Sequence, residues 1–230
     1  MFSVVIPAAG IGKRMNSTRP KQFLEINSKP ILAYTLEKFS KIKVVSEIVI
    51  STSKDCFSEV EQIVSKISFI NFKIVEGGKE RQDSVFNGLK ACKNQDFILV
   101  HDGVRPFVNE NEILEVFKKA QELGGAILAV KVKDTIKFGE NGLVKETPNR
   151  EKLWSVQTPQ GFRFEVLFEA ERKAKEQNFY STDESALVEK YFPSQKIGII
   201  EGSYSNIKIT SPEDLILAEK LLQLSMNSEQ

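Results

Sequence analysis

The chain has 230 residues, 41% of them hydrophobic, and its 32 basic and 31 acidic residues leave a formal charge of +1. This length allows a sizeable buried core, and the balanced charge argues against a protein that coats nucleic acid. No apolar run approaches the roughly 18 residues of a membrane span, and the amino terminus lacks the basic stretch of a signal peptide, so we expect a cytoplasmic protein without membrane contact.

Short apolar runs alternate with amphipathic segments along the chain. The runs are rich in β-branched and aromatic residues and almost continuously apolar, which is typical of strands covered on both faces. We predict strands at residues 2–6, 47–51, 72–75, 97–100 and 126–130. Strands alternating with helices predict an α/β fold: a Rossmann-like doubly wound, mostly parallel sheet in a single domain over residues 1–230, with ligands at the carboxyl ends of the strands.

Helices are predicted from the spacing of apolar residues and from capping signals. Apolar residues at helical spacing predict helices over 31–39, 85–92 and 113–120. The third of these has a capping box, with Asn109 as N-cap and Glu112 three residues later. A fourth begins at Ser211-Pro212, where a capping serine precedes a proline and two acids.

One region, residues 133–153, breaks the alternation. Two short alternating runs flank Gly139-Glu140-Asn141-Gly142, which predicts a β-hairpin. No helical pattern follows the first run, so we interpret the region as a β-arm that leaves the sheet. Either it is a plain surface hairpin, or it docks on a second subunit.

The two cysteines, Cys56 and Cys92, are far apart in the sequence and form no CxxC pair. We expect both to be reduced, one at the surface and one on a core helix face.

The loop after the first strand combines glycines with cations. Gly10 and Gly12 allow backbone N–H groups to approach phosphate oxygens, and Arg14 and Lys21 supply positive charge. A dinucleotide fingerprint is disfavoured because Met15 stands where its third glycine belongs, and a Walker loop is absent. A loop for a nucleoside triphosphate and an ordinary turn with solvated cations both remain open.

Two further polar corners follow other strands. Arg81 and Ser84 lie near a predicted helix start after the third strand, and Asp102 and Arg105 follow the fourth. Helix capping and a structural ion pair would explain them individually. Together with the first loop they favour a site for an anionic ligand, with Asp102 as a possible metal ligand and Arg105 as a phosphate ligand.

The motifs as a set resemble those of the 2-C-methyl-D-erythritol 4-phosphate cytidylyltransferase family. The resemblance covers nearly the whole chain in order, through PAAGIGKRM, PKQF, GGKERQDSV, HDGVRPF, Asp134-Thr135, SVQTPQGF, Thr182-Asp183-Glu184 and NIKITSPEDL. Ribitol-5-phosphate cytidylyltransferase is similar in PKQF, HDxVRPF and the TPQ region, and Gly103 and Val104 depart from the more usual HDAARP. An NAD-dependent oxidoreductase and a non-catalytic nucleotide sensor are remoter alternatives.

The resemblance implies roles for individual residues. The predicted catalytic residues are Arg14, Lys21 and Lys208. The predicted nucleotide-binding residues are Ala8, Ala9, Gly10, Gly12, Gly78, Arg81, Ser84, Asp102 and Gly103. Lys79 stands where the family often has an acid. The predicted polyol phosphate ligands are Arg105 and Thr135, together with Arg150 and Thr158 at positions matching the family's arm.

The resemblance also implies CTP and a polyol phosphate as substrates, a homodimer formed through the arm, and no nucleic-acid partner. Mg²⁺ is the expected cofactor, held mostly by CTP phosphates with Asp102 as protein ligand. The substrate phosphate is mostly a dianion near pH 7 and needs no base, so His101, the only histidine, is expected to close a strand and be satisfied by local hydrogen bonds.

Overall fold

The structure is a computed structural model that describes residues 1–10, 15, 19–69, 71–93 and 96–228. Its strands are β1 Phe2–Pro7, β2 Glu25–Ile26, β3 Lys29–Pro30, β4 Val45–Thr52, β5 Phe72–Glu76, β6 Phe97–Val100, β7 Gly125–Lys131, β8 Phe138–Glu140, β9 Leu143–Glu146, β10 Trp154–Arg163 and β11 Gly198–Glu201. Its helices are α1 Ile31–Ser40, α2 Phe57–Val64, α3 Arg81–Ala91, α4 Glu110–Leu123, α5 Phe164–Glu176, α6 Glu184–Tyr191 and α7 Pro212–Ser228, with short 3₁₀ turns at Lys21–Phe23, Lys54–Cys56 and Arg150–Lys152.

The central sheet has seven strands in the order β11-β7-β10-β6-β1-β4-β5. Its neighbours pair in parallel, except that β10 is antiparallel to both β6 and β7. The α/β class and the mostly parallel sheet are thus confirmed, and each predicted strand falls within an observed one. The sequence did not predict β10 or β11.

Both faces of the sheet are covered by helices. One apolar cluster joins the sheet to α1, α2 and α4, and a second joins it to α3, α5 and α6. Strand residues alternate between the clusters: Val4 and Ile6 pack in the first and Val5 in the second, all fully buried. Burial on both sides explains why β1 is almost continuously apolar.

The predicted helix signals are confirmed where the structure tests them. Asn109 caps α4, its side-chain oxygen accepting from the Glu112 N–H at 2.8 Å, while the Glu112 carboxylate accepts from the Asn109 N–H at 3.0 Å. Helix α7 begins at Pro212, as the Ser211-Pro212 signal predicts. Within the described ranges, no helix combines the length and apolar character needed to cross a membrane.

The region 133–153 forms the predicted hairpin. Strands β8 and β9 pair with each other and with no strand of the central sheet. Asn141 and Gly142 make the turn with positive φ angles of 52° and 77°, which a tight hairpin turn requires. We call residues 133–153 the arm. All arm residues except Leu153 and Pro148 are exposed.

The expectation of a surface cysteine is wrong. Cys56 and Cys92 are both free and both buried. Cys56 joins the first apolar cluster because the turn before α2 directs it toward the sheet. Burial raises the pKa of the Cys92 thiol to about 12, so it remains an inert core thiol.

Candidate active site

A cleft of about 240 Å³ opens where β1, β5 and β6 end. Three loops, one after each of these strands, form most of its wall, and Lys21, Gln22 and Lys208 complete it. The three polar corners predicted from the sequence therefore meet in one place. The parallel direction of the three strands brings their carboxyl ends to a common edge.

The first loop is anchored through the backbone of Ala8. The Ala8 N–H donates to the carbonyl of Ser51 at 2.7 Å. The Ala8 carbonyl accepts from Nε2 of Gln22 at 2.6 Å and from Oγ1 of Thr52 at 3.1 Å. These bonds fix the direction in which the chain leaves β1, and a Cβ at Gly10 would come within 4 Å of no atom of the described residues. Gly10 is exposed in the wall of the cleft.

The second loop is tied to the start of α3. Oγ of Ser84 accepts from the Gly78 N–H at 3.0 Å and donates to the carbonyl of Glu80 at 3.2 Å. A Cβ at Gly78 would lie 2.1 Å from Cβ of Asp83, so only glycine permits this close approach. Likewise a Cβ at Gly77 would lie 2.4 Å from Cβ of Ala9. The first and second loops are thus in direct contact.

The third loop places a carboxylate among three cations. Oδ1 of Asp102 is 2.9 Å from Nε of Arg81, and Oδ2 is 2.9 Å from Nζ of Lys208 and 3.4 Å from Nε of Arg105. Burial alone would raise the pKa of Asp102. The charges of Arg81, Lys208 and Arg105 outweigh burial and hold that pKa well below its usual range. Asp102 is therefore ionised at neutral pH.

Arg81 has a second acidic partner, Glu184 at the start of α6. Nη1 and Nη2 of Arg81 lie 2.5 and 3.2 Å from Oε1 and Oε2 of Glu184. Burial opposes the charged form of Arg81, but the carboxylates of Glu184 and Asp102 raise its pKa. The guanidinium thus bridges α6 and the end of β6.

His101 and Thr158 lie behind Asp102. The carbonyl of Arg105 accepts from Nε2 of His101 at 3.0 Å, so Nδ1 is the acceptor for the Thr158 hydroxyl, 3.1 Å away. Oγ1 of Thr158 accepts in turn from the Asp102 N–H at 3.0 Å. Burial lowers the pKa of His101 to about 4. The expectation that His101 closes a strand and is satisfied locally is confirmed.

Most of the predicted nucleotide-binding and catalytic residues line the cleft. They are Ala8, Ala9, Gly10, Lys21, Gly78, Arg81, Ser84, Asp102, Gly103 and Lys208. Lys79 is exposed at the rim. Gly12 and Arg14 lie outside the described residues.

The predicted ligands of the polyol phosphate do not line the cleft. Arg105 is mostly buried, with Nη1 donating to the carbonyl of Asn206 at 2.7 Å. Thr135 and Arg150 are exposed in the arm, where Nη1 of Arg150 donates to the carbonyl of Lys133 at 2.6 Å. The expectation that Thr158 belongs to the arm is wrong: it is buried in β10, because its hydroxyl bonds to His101 and Asp102.

Some residues of the site, among them Gln22, Glu80 and Glu184, were not among the predicted site residues. Gln22 and Glu80 line the cleft, and Glu184 holds Arg81. Gln22 lies in the PKQF motif and Glu184 in Thr182-Asp183-Glu184, so both belong to motifs that carried the family resemblance. Their partners, Ala8 and Arg81, are distant in sequence and could not be read from it.

The chemistry of the cleft suits a nucleoside triphosphate. Lysines and an arginine supply positive charge, Gly10 is exposed in the wall, and Asp102 supplies an ionised carboxylate. Cations at the carboxyl ends of parallel strands neutralise phosphates, and a tight glycine corner can hold a base. This fold and this site define the class of nucleotidyltransferases.

Comparison with known proteins identifies the family. A family model described as 2-C-methyl-D-erythritol 4-phosphate cytidylyltransferase matches residues 2–224, and the chain belongs to this family. It is therefore a cytidylyltransferase of isoprenoid biosynthesis, the family that the sequence motifs resembled.

Individual relatives agree over their full length. The 2-C-methyl-D-erythritol 4-phosphate cytidylyltransferase of Clostridioides difficile is 46% identical, covering 100% of this chain and 97% of that protein. The enzyme of the same name from Clostridium botulinum is 48% identical, covering 96% and 97%. The crystal structure of 4-diphosphocytidyl-2C-methyl-D-erythritol synthase from Anaerococcus prevotii is 36% identical with a TM-score of 0.88, covering 96% of both chains.

Proposed function

We propose that the cleft transfers the cytidylyl group of CTP to 2-C-methyl-D-erythritol 4-phosphate, giving 4-diphosphocytidyl-2-C-methyl-D-erythritol and pyrophosphate. The observation that carries the proposal is the Asp102–Lys208 pair, joined at 2.9 Å beside the glycine loops in a chain of this family. Ribitol 5-phosphate is the competing acceptor, because HDxVRPF and the TPQ region are similar in both families.

The reaction is an in-line displacement at the α-phosphorus. An oxygen of the substrate phosphate forms a new bond to the α-phosphorus, the bond to the bridging oxygen of the β-phosphate breaks, and pyrophosphate leaves with that electron pair. Near pH 7 the substrate phosphate is already mostly a dianion and needs no proton acceptor. His101 fits this account, because both of its ring nitrogens are bonded away from the cleft.

The barrier is electrostatic, since two polyanions must meet and charge grows on pyrophosphate. We assign Lys21 to the phosphates of CTP and Lys208 to the reacting α-phosphate, where fixed cations stabilise the transition state more than the ground state. Arg14 is assigned beside them from the family resemblance. The ion pair with Asp102 holds the ammonium group of Lys208 at a defined position and so limits the freedom of its long side chain.

A divalent cation, Mg²⁺, suits the residues present. Asp102 lines the cleft as an ionised carboxylate whose oxygens pair with Arg81, Lys208 and Arg105, and the described residues contain no cluster of three acids, histidines or cysteines that would bind a metal alone. Mg²⁺ needs only one or two carboxylates when it is held by phosphates. Asp102 would hold the ion together with CTP, and the bound ion would supply charge neutralisation to the phosphates.

The arm is proposed to complete the site of a second copy. It carries exposed apolar side chains, with Phe138, Leu143 and Val144 each at least 61% exposed, and Thr135 and Arg150 lie in it away from the cleft of their own chain. An apolar hairpin of this kind suits packing on another subunit, and a two-fold dimer would use both arms equally. Arg150 would then bind the polyol phosphate in the partner's site.

Pyrophosphate release tests the proposal. The purified protein is assayed with CTP and Mg²⁺ and with each acceptor in turn, 2-C-methyl-D-erythritol 4-phosphate or ribitol 5-phosphate. We expect kcat/KM to favour the methylerythritol substrate by at least about 100-fold, because an ill-fitting polar acceptor leaves buried groups unpaired. Preference for ribitol 5-phosphate would replace the proposal, and CTP binding without turnover would favour the sensor.

A further inference from the structure

Glu184 stands at a fixed point where α6 meets the sheet. It is the first residue of α6, and only 1% of its surface is exposed. The preceding Asp183 accepts from the Ala186 N–H at 3.0 Å and from Nε2 of Gln160 in β10 at 2.9 Å. The start of the helix is therefore tied to the central sheet, and the Glu184 carboxylate has little freedom to move.

Glu184 engages Arg81 through two hydrogen bonds, at 2.5 and 3.2 Å, while Nε of the same guanidinium bonds to Asp102 at 2.9 Å. A paired carboxylate fixes the plane of a guanidinium as well as its position. Fixing the plane of Arg81 fixes where Nε points. Asp102 in turn pairs with Lys208, whose Nζ lies 2.9 Å from Oδ2 of Asp102.

We propose that Glu184 is a positioning residue for cytidylyl transfer: it holds Arg81 against Asp102 and thereby fixes the carboxylate on which Lys208 rests. This inference rests on the proposed function. It gives Arg81 a second role. Besides lining the cleft, its guanidinium is held by the carboxylates of Glu184 and Asp102 and thereby orients Asp102.

A neighbouring carboxyl group provides a contrast. Glu171 on α5 is also 1% exposed, and its Oε1 has no hydrogen-bond partner among the described residues. Burial, with a contribution from the charge of Glu184, raises the pKa of Glu171 to about 9. Of these two buried acids, Glu184 pairs with Arg81 as a carboxylate and Glu171 is neutral at pH 7. A change from Glu to Gln should therefore affect the two positions very differently.

The functional test compares Glu184→Gln with the matched control Glu171→Gln. Because a hydrogen bond to a charged group is lost without a change of shape, we expect Glu184→Gln to lower kcat about 10- to 100-fold while KM for CTP changes less than about threefold. Glu171→Gln should keep wild-type kcat. Glu184→Asp, which retains the charge, should recover part of the loss.

A double-mutant cycle separates positioning from general destabilisation. If Glu184 acts through Arg81, then Glu184→Gln should cost less than about twofold in kcat when Arg81 is already alanine. Multiplying losses in the double variant would mean that Glu184 acts independently, and wild-type kcat in Glu184→Gln would mean that it does not act at all. Either result overturns the inference.

A structural measurement tests the role of Glu184 without relying on catalysis. If the wild type does not turn over, that result counts against the proposed function alone, and this measurement still tests the inference. The ¹⁵N signal of Arg81 Nε in the free protein, assigned with Arg81→Lys, should exchange slowly with solvent in the wild type and in Glu171→Gln. In Glu184→Gln we expect exchange at least about tenfold faster, because a guanidinium freed on one side opens more often. Unchanged exchange in that variant would overturn the inference.

Discussion

Lys208 Nζ lies 2.9 Å from Oδ2 of Asp102, so the segment before α7 meets the end of β6 inside the cleft. Anchors on both sides hold Lys208 there. Nδ2 of Asn206 donates to the carbonyl of Thr158 at 3.0 Å, and the Ile209 N–H donates to the carbonyl of Val104 at 3.0 Å. The geometry of this pair is therefore set by the fold and not by the flexible side chain alone.

Lys208→Ala should lower kcat about 10²- to 10³-fold with a smaller change in KM for CTP, because loss of one preorganised charge acts mainly on the transition state. Steady-state kinetics with CTP varied at saturating acceptor measures both constants. Lys220→Ala is the matched control, since Lys220 is exposed on α7 and contacts Gln223. A kcat within about twofold of wild type would remove Lys208 from the mechanism.

Gly78→Ala should weaken the corner that we assign to the base. The added Cβ would lie 2.1 Å from Cβ of Asp83 and 3.1 Å from its carbonyl carbon, so the loop must move away from α3. We expect kcat/KM for CTP to fall at least about tenfold, and the preference for CTP over UTP to shrink, because reading the base needs close polar contacts.

The control for this change is Gly139→Ala in the arm. A Cβ there makes only an ordinary contact, 3.7 Å from the carbonyl oxygen of Leu143. The measurement is kcat/KM for both nucleotides in both variants. If Gly78→Ala retains the wild-type ratio of CTP to UTP, the GGKERQDS corner does not read the base.

Glu171→Gln should stabilise the protein more as the pH rises. Folding raises the pKa of Glu171 from 4.5 to about 9. The free energy of unfolding of the wild type is therefore highest with respect to this group below pH 4.5, and it falls as the pH rises toward 9. Glutamine does not titrate. Between pH 5 and pH 8 the difference in unfolding free energy between variant and wild type should therefore grow in favour of the variant by about 4 kcal/mol.

Urea unfolding at the two pH values measures this difference, and effects of all other titrating groups cancel in it. Glu165→Gln on the exposed side of α5 is the matched surface control. A difference for Glu171→Gln that stays constant from pH 5 to pH 8 would mean that Glu171 is ionised throughout.

Complementation tests the arm. If the arm joins two copies as proposed, homodimers of Arg150→Ala and of Lys21→Ala should each be nearly inactive. After random exchange of a 1:1 mixture, half of the dimers are mixed, and each mixed dimer has one site with both defects and one site intact. Activity should therefore recover to about a quarter of wild type per site. A mixture that stays inactive after verified exchange would place Arg150 and Lys21 in the same site, or remove Arg150 from catalysis.

Local signals in the sequence were enough to predict five of the seven strands of the central sheet. Strands β1, β4, β6 and β7 are apolar runs because both of their faces are buried, whereas the edge strand β5 is only partly buried and was predicted from its β-branched and aromatic residues. The starts of α4 and α7 carry their own capping residues. The three polar corners followed from strand ends, which is why most of the cleft could be predicted.

Strand β10 could not be predicted in the same way. Gln157, Thr158 and Gln160 are buried polar residues, unlike those of an ordinary core strand. Their partners lie far along the chain: Nε2 of Gln160 donates to Asp183, and Nδ2 of Asn206 donates to Gln157. Polar burial satisfied over such distances leaves no local pattern.

Long-range ion pairs escaped prediction for a related reason. Arg81 and Glu184 are separated by 103 positions, and neither shows its partner in the sequence. Helix α5 was also not predicted, although it carries a local signal: Leu167, Ala170 and Ala174 recur at helical spacing and are buried.

The most direct test of the central claim follows the oxygens of the substrate phosphate. The protein is incubated with CTP, Mg²⁺ and 2-C-methyl-D-erythritol 4-phosphate whose phosphate carries ¹⁸O. The products are separated, and the ¹⁸O content of each is measured by mass spectrometry. If that phosphate attacks the α-phosphorus, all of the label should remain in 4-diphosphocytidyl-2-C-methyl-D-erythritol, and pyrophosphate should carry none. Label in pyrophosphate, or formation of no cytidine-linked product, would contradict the account.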